Sequence, residues 1–344
     1  MKVDYLIVGS GLAGINLCHL LKQHNKAFVV FDNNSQQSST VAGGLYNPVV
    51  LKRFTPVWKS DEQLQLVKQV YAELEHSFQV KLDYKVPVKR LFHSVEEQND
   101  WFSASDKRGL SAYLSTKLIS NSNSYIKAPL GFGEVLETGR IDTSLLLQCF
   151  IESLGEQYFN STFNYNELNI ETHFVQYQNI TAKHVVFTEG FGLKQNPYFN
   201  YLPLKGTKGE LLTIHAPLLK LDFVLKSSVF LIPLGDDLYR VGATYEWVDK
   251  TNTPTENGKQ ELLDKLKTVV NCSFEIVAHD AGIRPTVIDR RPLVGTHPDY
   301  KNVHILNGLG TRGVMIAPYA AKALFMHIER NTSLEAELDI KRFA

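Results

Sequence analysis

The stretch "DYLIVGSGLAGINLCHLL", residues 4–21, decides the fold of the first part of this chain. It begins within an apolar run, Val3 to Val8, of the kind found in strands buried on both faces of a parallel sheet. A turn of the form GxGxxG follows, from Gly9 to Gly14. Apolar residues then recur at helical spacing, at Ala13, Leu17, Leu20 and Leu21. Strand, glycine turn and helix in this order predict an α/β fold that binds a dinucleotide.

Each residue type in this loop has a physical task. Gly9 permits the sharp turn, Gly11 lets the backbone approach a pyrophosphate, and Gly14 lets helix and strand pack closely. The phosphate charge is favoured by the free N–H groups and dipole at the helix N-terminus. A second apolar run ends on Asp32, an acid that can accept hydrogen bonds from ribose hydroxyls and that disfavours the 2′-phosphate of NADP. The expected cofactor contacts from this unit are therefore Gly9, Ser10, Gly11, Leu12, Ala13, Gly14, Asp32 and Asn33.

The fingerprint alone does not separate NAD from FAD. The following segment, "SSTVAGGLYNPVVLKRF" at residues 38–54, is a loop of small and hydroxyl residues where an NAD domain would continue directly with a strand. Such residues suit a backbone that lies against a cofactor, and they equally suit a surface loop.

Near the other end of the chain, "NVHILNGLGTRGVMIAPYAAKAL" at residues 302–324 repeats the order of strand, glycine turn and helix. Two such loops can mean two nucleotide sites or one site built from both ends of the chain. No acid follows this second loop at the ribose-binding spacing, and few residues remain after Leu324, which favours a single site.

Composition indicates a globular protein, because 44% of the 344 residues are hydrophobic and 21% are charged. Basic and acidic residues number 36 each, so a nucleic-acid partner is not expected. No apolar run reaches the roughly 18 residues of a membrane span, and no signal-peptide pattern is present. The three cysteines fit no disulfide or metal spacing, so we expect a cytoplasmic protein without a metal site.

Eight stretches, spread over nearly the whole chain, carry a resemblance to a known family. They are residues 9–32, 39–48, 139–147, 184–192, 203–214, 230–247, 281–295 and 302–324. In these stretches the sequence resembles the D-amino acid oxidase superfamily of FAD-dependent oxidoreductases, which includes glycine oxidase and sarcosine oxidase. The "LGTRG" form of the second loop is closer to the oxidase domain of the bifunctional enzyme that modifies wobble uridine in tRNA.

The resemblance implies a Rossmann-like FAD-binding domain, discontinuous in sequence, and a substrate domain on a large antiparallel sheet. Strand-like alternation and the turn at residues 235–237 agree with the second part. We expect residues 1–80, 133–205 and 285–344 in the FAD-binding domain. Residues 81–132 and 206–284 are expected in the substrate domain.

The resemblance also implies further cofactor contacts and a non-covalent FAD, since no cysteine matches the position that is covalently linked in sarcosine oxidase. The second glycine loop would then face the flavin ring. Glu189 stands where most relatives have a small residue, and it either tunes the cofactor or faces solvent. The residues implied are Ser39, Thr40, Gly43, Gly44, Glu189, Gly190, Gly308, Gly310, Thr311, Gly313 and Val314.

Two arginines are candidates for the chemistry. Arg284 precedes a proline, which favours an extended backbone, and Gly282 on the same strand face leaves open space beside it. It either forms a structural ion pair or, as the resemblance implies, binds the substrate carboxylate through its planar fork. Arg312 either faces the flavin or substrate, or caps its loop on the solvent side.

The function implied is oxidation of the C–N bond of an amino acid or N-substituted glycine, with hydride transfer to flavin N5. Small-molecule substrates and either oxygen or an electron carrier would be the partners. Two alternatives stay open. One is oxidative removal of a carboxymethylaminomethyl-type group in tRNA, and the other is a flavin-bound protein without catalysis.

Overall fold

The computed structural model describes residues 1–343. Within this range the helices are α1 (Leu12–Gln23), α2 (Ser60–Phe78), α3 (Val95–Ser105), α4 (Thr143–Glu152), α5 (Glu256–Lys267) and α6 (Gly313–Arg330). The strands are β1 (Lys2–Val8), β2 (Phe28–Asp32), β3 (Leu45–Tyr46), β4 (Val49–Val50), β5 (Thr55–Pro56), β6 (Asp83–Tyr84), β7 (Val88–Leu91), β8 (Phe132–Val135), β9 (Gly139–Ile141), β10 (Tyr158–Asn160), β11 (Leu168–Ile170), β12 (Val175–Tyr177), β13 (Ile180–Phe187), β14 (Thr207–His215), β15 (Val224–Lys226), β16 (Phe230–Gly235), β17 (Leu238–Gly242), β18 (Glu275–Arg284), β19 (Leu293–Thr296) and β20 (Val303–Asn307). None of the helices described is long and apolar enough to cross a membrane.

The first large sheet joins both ends of the chain. Its parallel part runs β10-β2-β1-β13-β20, and β12, β11 and β19 are added as antiparallel strands. The strands β1 and β20 are the apolar runs that precede the two glycine turns, and all of β20 is buried. Because β1, β13 and β20 are parallel neighbours, the turns after them meet at one edge of the sheet.

Both faces of this sheet are covered, as its apolar strands require. On one face α1 and α6 pack against each other, with α2 behind them. The Tyr71 hydroxyl donates a 2.9 Å hydrogen bond to the Val314 carbonyl and ties α2 to the start of α6. On the other face an aromatic cluster forms around Phe31, Phe163 and Phe187.

The second large sheet is mainly antiparallel, in the order β18-β14-β17-β16-β15-β7-β8. Only β15 and β7 pair in parallel. One face of this sheet packs on α5 through Leu262 and Leu266, together with the buried ring of Tyr239. The opposite face looks toward the carboxyl edge of the first sheet and forms one wall of a cavity. The prediction of a Rossmann-like domain with an antiparallel substrate sheet is confirmed.

Two of the expected domain boundaries lie close to strands that pair over long sequence separations. A boundary at residue 133 would cut β8, whose four residues all pair with β7 in the second large sheet. Residues 83–84 form β6, which was expected in the substrate domain. In the structure β6 pairs with β9, and β9 pairs with β3 in a separate three-stranded sheet. No local sequence pattern marks either of these pairings, so the domain boundaries stay a prediction.

The close packing of α1 on β1 gives the first prediction. A Cβ at Gly14 would lie 2.0 Å from the Gly9 carbonyl oxygen, so Gly14→Ala forces helix and strand apart. Alanine is normally the better helix residue, yet overpacking costs about 1–3 kcal/mol, and we expect a net loss of that order in unfolding free energy. Urea denaturation measures it. Gly192→Ala is the control, because its Cβ would meet only ordinary contacts from 3.4 Å. A Gly14→Ala protein as stable as wild type would contradict this packing.

Candidate active site

A cavity of about 640 Å³ lies between the carboxyl edge of the first sheet and the inner face of the second. The predicted site residues that line it are Gly9, Gly11, Leu12, Ala13, Asp32, Asn33, Ser39, Gly43, Gly44, Glu189, Gly190, Arg284, Gly310, Thr311, Arg312, Gly313 and Val314. Four others do not line it. Ser10 and Gly14 belong to the first glycine loop but are turned away from the cavity, toward Asp32 and the Gly9 carbonyl respectively. Gly308 packs against Val287 and Leu293, and Thr40 is exposed.

The first glycine loop is held against the end of β13. Gly9 has a φ of +107°, and a Cβ there would lie 2.7 Å from the Thr188 carbonyl oxygen. The Thr188 hydroxyl bonds the carbonyl oxygens of Val8 and Gly9 at 3.0 and 2.7 Å. This leaves the loop backbone facing the cavity, at the N-terminal end of α1. Free N–H groups at a helix N-terminus favour a bound phosphate.

Asp32 ends β2 beside this loop. Its Oδ2 accepts hydrogen bonds from the Ser10 backbone and hydroxyl at 2.5 and 2.7 Å, and its Oδ1 accepts one from the Asn34 amide at 2.7 Å. These bonds fix the carboxylate while part of it still lines the cavity. A carboxylate offers about four acceptor sites, so Asp32 can also accept from ribose hydroxyls.

Glu189 faces the same end of the cavity and does not simply project into solvent. The Tyr165 hydroxyl donates to its Oε1, and the Asn196 amide donates to its Oε2 at 2.7 Å. Burial raises the pKa of Glu189 to about 7, against the pull of these two donors, and the charge of Asp32 adds to the rise. Sequence reasoning missed Tyr165 and Asn196, since nothing local connects them to residue 189.

The small-residue loop at residues 38–44 runs between the two sheets. The Ser39 hydroxyl accepts a 3.1 Å hydrogen bond from the Leu12 amide, which joins this loop to the first glycine loop. A Cβ at Gly43 would lie 2.7 Å from Ile232 Cδ1, and one at Gly282 would lie 2.8 Å from Val41 Cγ2. Small residues are therefore needed here so that the loop can pass over the second sheet.

The second glycine loop meets the first one directly. A Cβ at Gly313 would lie 3.0 Å from Leu12 Cδ1, although the two positions are 301 residues apart. Gly313 and Val314 are the first residues of α6 and line the cavity. Their N–H groups belong to the helix turn that has no intrahelical partners. Both glycine loops therefore contribute to a single cavity.

Two arginines reach this cavity from opposite sides. The Arg284 guanidinium lies over Gly209, where a Cβ would sit 1.9 Å from Nη2, and it contacts the Tyr245 ring at 4.7 Å. Its Nη1 donates weakly to the carbonyl oxygens of Lys208 and Thr244 at 3.4 and 3.3 Å. Within residues 1–343, no Asp or Glu carboxylate lies within 4.0 Å of it, so it forms no structural ion pair there.

Arg312 occupies the inward one of its two possible orientations. Its Nη1 donates a 3.0 Å hydrogen bond to the Asn47 carbonyl, and its side chain lines the cavity. Burial lowers the pKa of both Arg284 and Arg312, and Tyr245 lies close enough to both to oppose that shift. Two cationic side chains thus converge near one aromatic ring.

Comparison with known proteins defines the class. Residues 4–325 match the family described as "FAD dependent oxidoreductase", DAO, and the chain belongs to this family. It is an FAD-dependent oxidoreductase, as the resemblance implied. The first glycine loop, Asp32 at the end of β2 and the N-terminus of α6 fit this cofactor.

Individual relatives are distant. The MnmC bifunctional protein of tRNA 5-methylaminomethyl-2-thiouridine biosynthesis from Legionella pneumophila (strain Lens) is 24% identical over 96% of this chain and 54% of that protein. Glycine oxidase from Bacillus subtilis (strain 168) is 26% identical over 46% of this chain and 44% of its own length. Matched segments span only 22% to 54% of such curated relatives.

Solved structures share the fold over the full length. Glycine oxidase from Geobacillus kaustophilus superposes with a TM-score of 0.81 at 19% identity, covering 100% of this chain and 98% of that one. Iminodiacetate oxidase from Chelativorans sp. BNC1 has a TM-score of 0.81 at 17% identity, with 99% and 98% coverage.

The buried carboxyl of Glu189 predicts a pH dependence. Its folded-state pKa of about 7 exceeds the ordinary 4.5, so between these values the folded protein keeps a proton that the unfolded chain has released. For protein stripped of FAD, the unfolding free energy should fall as pH rises through this window, by at most about 3 kcal/mol. Glu189→Gln should remove that slope in urea titrations from pH 4 to 8, and exposed Glu156→Gln should keep it. Identical slopes in wild type and Glu189→Gln would contradict the assignment.

Proposed function

We propose that this protein oxidises the C–N bond of an amino acid or an N-substituted glycine. The observation that carries the proposal is Arg284, a buried guanidinium that faces the cavity without a carboxylate partner among the described residues. A planar fork of this kind binds both oxygens of a carboxylate. Gly209 lets this guanidinium lie flat on β14, whereas the space over Gly282, which was expected to be open, is filled by Ser38 and Val41.

The chemistry divides between cofactor and chain. Bound FAD would supply the electron acceptor, taking a hydride from the substrate α-carbon at N5. The substrate nitrogen loses a proton as its C–N bond becomes C=N, and water then hydrolyses the imine to a carbonyl compound and an amine. Oxygen or an electron carrier would take up the two electrons. Arg284 holds the carboxylate in place, and Tyr245 covers the face of its guanidinium.

The chain would hold FAD through both glycine loops. The first loop would take the pyrophosphate and Asp32 the ribose. The unpaired N–H groups at the start of α6 favour negative charge that develops near Gly313 and Val314. Non-covalent binding is supported because neither a cysteine nor a histidine is among the described residues that line the cavity. All three cysteines are free thiols, which supports a cytoplasmic location.

An RNA substrate receives less support. Several relatives carry names from tRNA modification, yet the matched segment is at most about half of those proteins. Basic and acidic residues balance at 36 each, so the chain has no net charge to attract a polyanion.

Arg284 provides the test. We expect Arg284→Leu to lower kcat/KM for a carboxylate substrate by at least about 100-fold, because the charge-assisted bonds that orient the substrate are lost. The kcat/KM of Arg284→Lys should lie between those of wild type and Arg284→Leu. Lysine keeps the positive charge but cannot bind both carboxylate oxygens through a planar guanidinium. Anaerobic bleaching of the flavin by glycine, sarcosine, proline and D-amino acids identifies the substrate and gives the rates.

The control is Arg291→Leu, a surface arginine that pairs with Glu337 at 3.0 Å and should leave the rates unchanged. FAD content is measured in each variant. An Arg284→Leu holoenzyme that bleaches as fast as wild type would refute the carboxylate anchor.

A further inference from the structure

Lys226 is a lysine of the same cavity that the proposed reaction does not use. It ends β15, and its Nζ donates a 2.7 Å hydrogen bond to the Ser227 carbonyl. The ammonium also lies 4.5 Å from the centroid of the Phe230 ring. Within residues 1–343, no carboxylate comes within 4.0 Å of it. Since an ammonium has three donors, Lys226 has hydrogen-bonding capacity left for a ligand.

The surroundings of Lys226 leave its charge uncompensated. Burial, together with the nearby cations Arg90 and Lys265, lowers the pKa of Lys226 to about 8. A partly buried cation is unfavourable unless an anion accompanies it. An anionic ligand in the cavity would provide that partner.

Charge is divided between the two ends of the cavity. The acidic residues that line it are Asp32 and Glu189, both beside the first glycine loop, where Asp32 bonds Ser10 and acts on Glu189. The basic residues that line it are Lys52, Lys226, Arg284 and Arg312. Of these, Lys226 and Arg284 belong to the second sheet, whereas Lys52 and Arg312 do not. Two cations on one wall favour a substrate with more than one negative group.

Strand register sets the spacing of the two cations. Lys226 pairs with Phe230, Phe230 with Gly242, and Gly242 with Leu211 on β14. The guanidinium of Arg284 lies over this same β14. Three strand spacings give about 14 Å, and Gly209 lies two residues, about 7 Å, along β14 from Leu211. The lean of Lys226 over Phe230 shortens the distance between the charges to roughly 12 Å. Two carboxylates separated by about two to four atoms fit between them.

We propose that Lys226 binds a second anionic group of the substrate, so that the preferred substrates are diacids. Acidic amino acids and N-carboxyalkyl glycines are the chemical class. Arg284 would hold the carboxylate next to the oxidised carbon, and Lys226 the distal one. This inference rests on the proposed function, which assigns the first carboxylate to Arg284.

The test uses the FAD-loaded protein and carboxylates that cannot be oxidised. Malonate, succinate, glutarate and adipate are compared with acetate and butyrate by calorimetry and by the change in flavin absorbance. We expect one dicarboxylate to bind at least about 10-fold tighter than either monocarboxylate. Lys226→Met should weaken that dicarboxylate about 10- to 100-fold and leave the monocarboxylates within about twofold. Lys226→Arg, which keeps the charge, should retain most of the affinity.

Lys265→Met is the matched control. It removes one of the charges that act on Lys226, yet Lys265 does not line the cavity and pairs with Glu261. We expect no more than a twofold change for any ligand. Direct binding by Lys226 is refuted if Lys265→Met loses as much dicarboxylate affinity as Lys226→Met. It is also refuted if Lys226→Met loses as much affinity for monocarboxylates as for dicarboxylates.

The two proposals fail in different ways. If the monocarboxylates bind wild type through Arg284 and no dicarboxylate binds more tightly than they do, the role of Lys226 is refuted and the proposed function stands. If no carboxylate binds wild type and none of the amino acids bleaches the flavin, the proposed function itself is refuted.

Discussion

The parallel backbone ladder through β1, β13 and β20 is the constraint on which the rest of the structure depends. Val8 pairs with Phe187, and Phe187 pairs with Ile305, so three distant segments end level with one another. Everything that follows these strands meets at one edge, where the Asn307 amide donates a 2.9 Å hydrogen bond to the Gly190 carbonyl. The two glycine loops therefore form one site, and each restricts the side chains that the other can carry.

The second sheet completes the site with the opposite chemical character. Its inner face carries Arg284 and Lys226, which have no carboxylate within 4.0 Å among the described residues, and Gly209, over which the Arg284 guanidinium lies. A buried cation without a partner is costly, so the arrangement makes sense as a receptor for anions. One end of the cavity has the acids and the glycine loops, where we propose that FAD binds, and the other has Arg284 and Lys226, where we propose that the substrate binds. The proposed function therefore places cofactor and substrate at different ends of one cavity.

Much of this could be predicted because the decisive signals are local. A buried strand, a glycine turn and an acid at the next strand end lie within about thirty residues, and short-range sterics fix their arrangement. The orientation of Arg312 could not be predicted, since its partner is the carbonyl of Asn47, far away in sequence. Glu189 likewise depends on Tyr165 and Asn196. Lys226 gave no signal, because a lysine in a short strand equally fits a solvated face. The pairing of β8 with β7, next to an expected domain boundary, is likewise not marked by any local pattern.

The central claim is one FAD site built from both ends of one chain, and the cofactor content of the purified protein tests it most directly. The protein should be yellow, and acid or heat denaturation should release FAD into solution at one molecule per chain. Protein that binds NAD instead, that carries two dinucleotides per chain, or that keeps its flavin attached after denaturation would contradict the account.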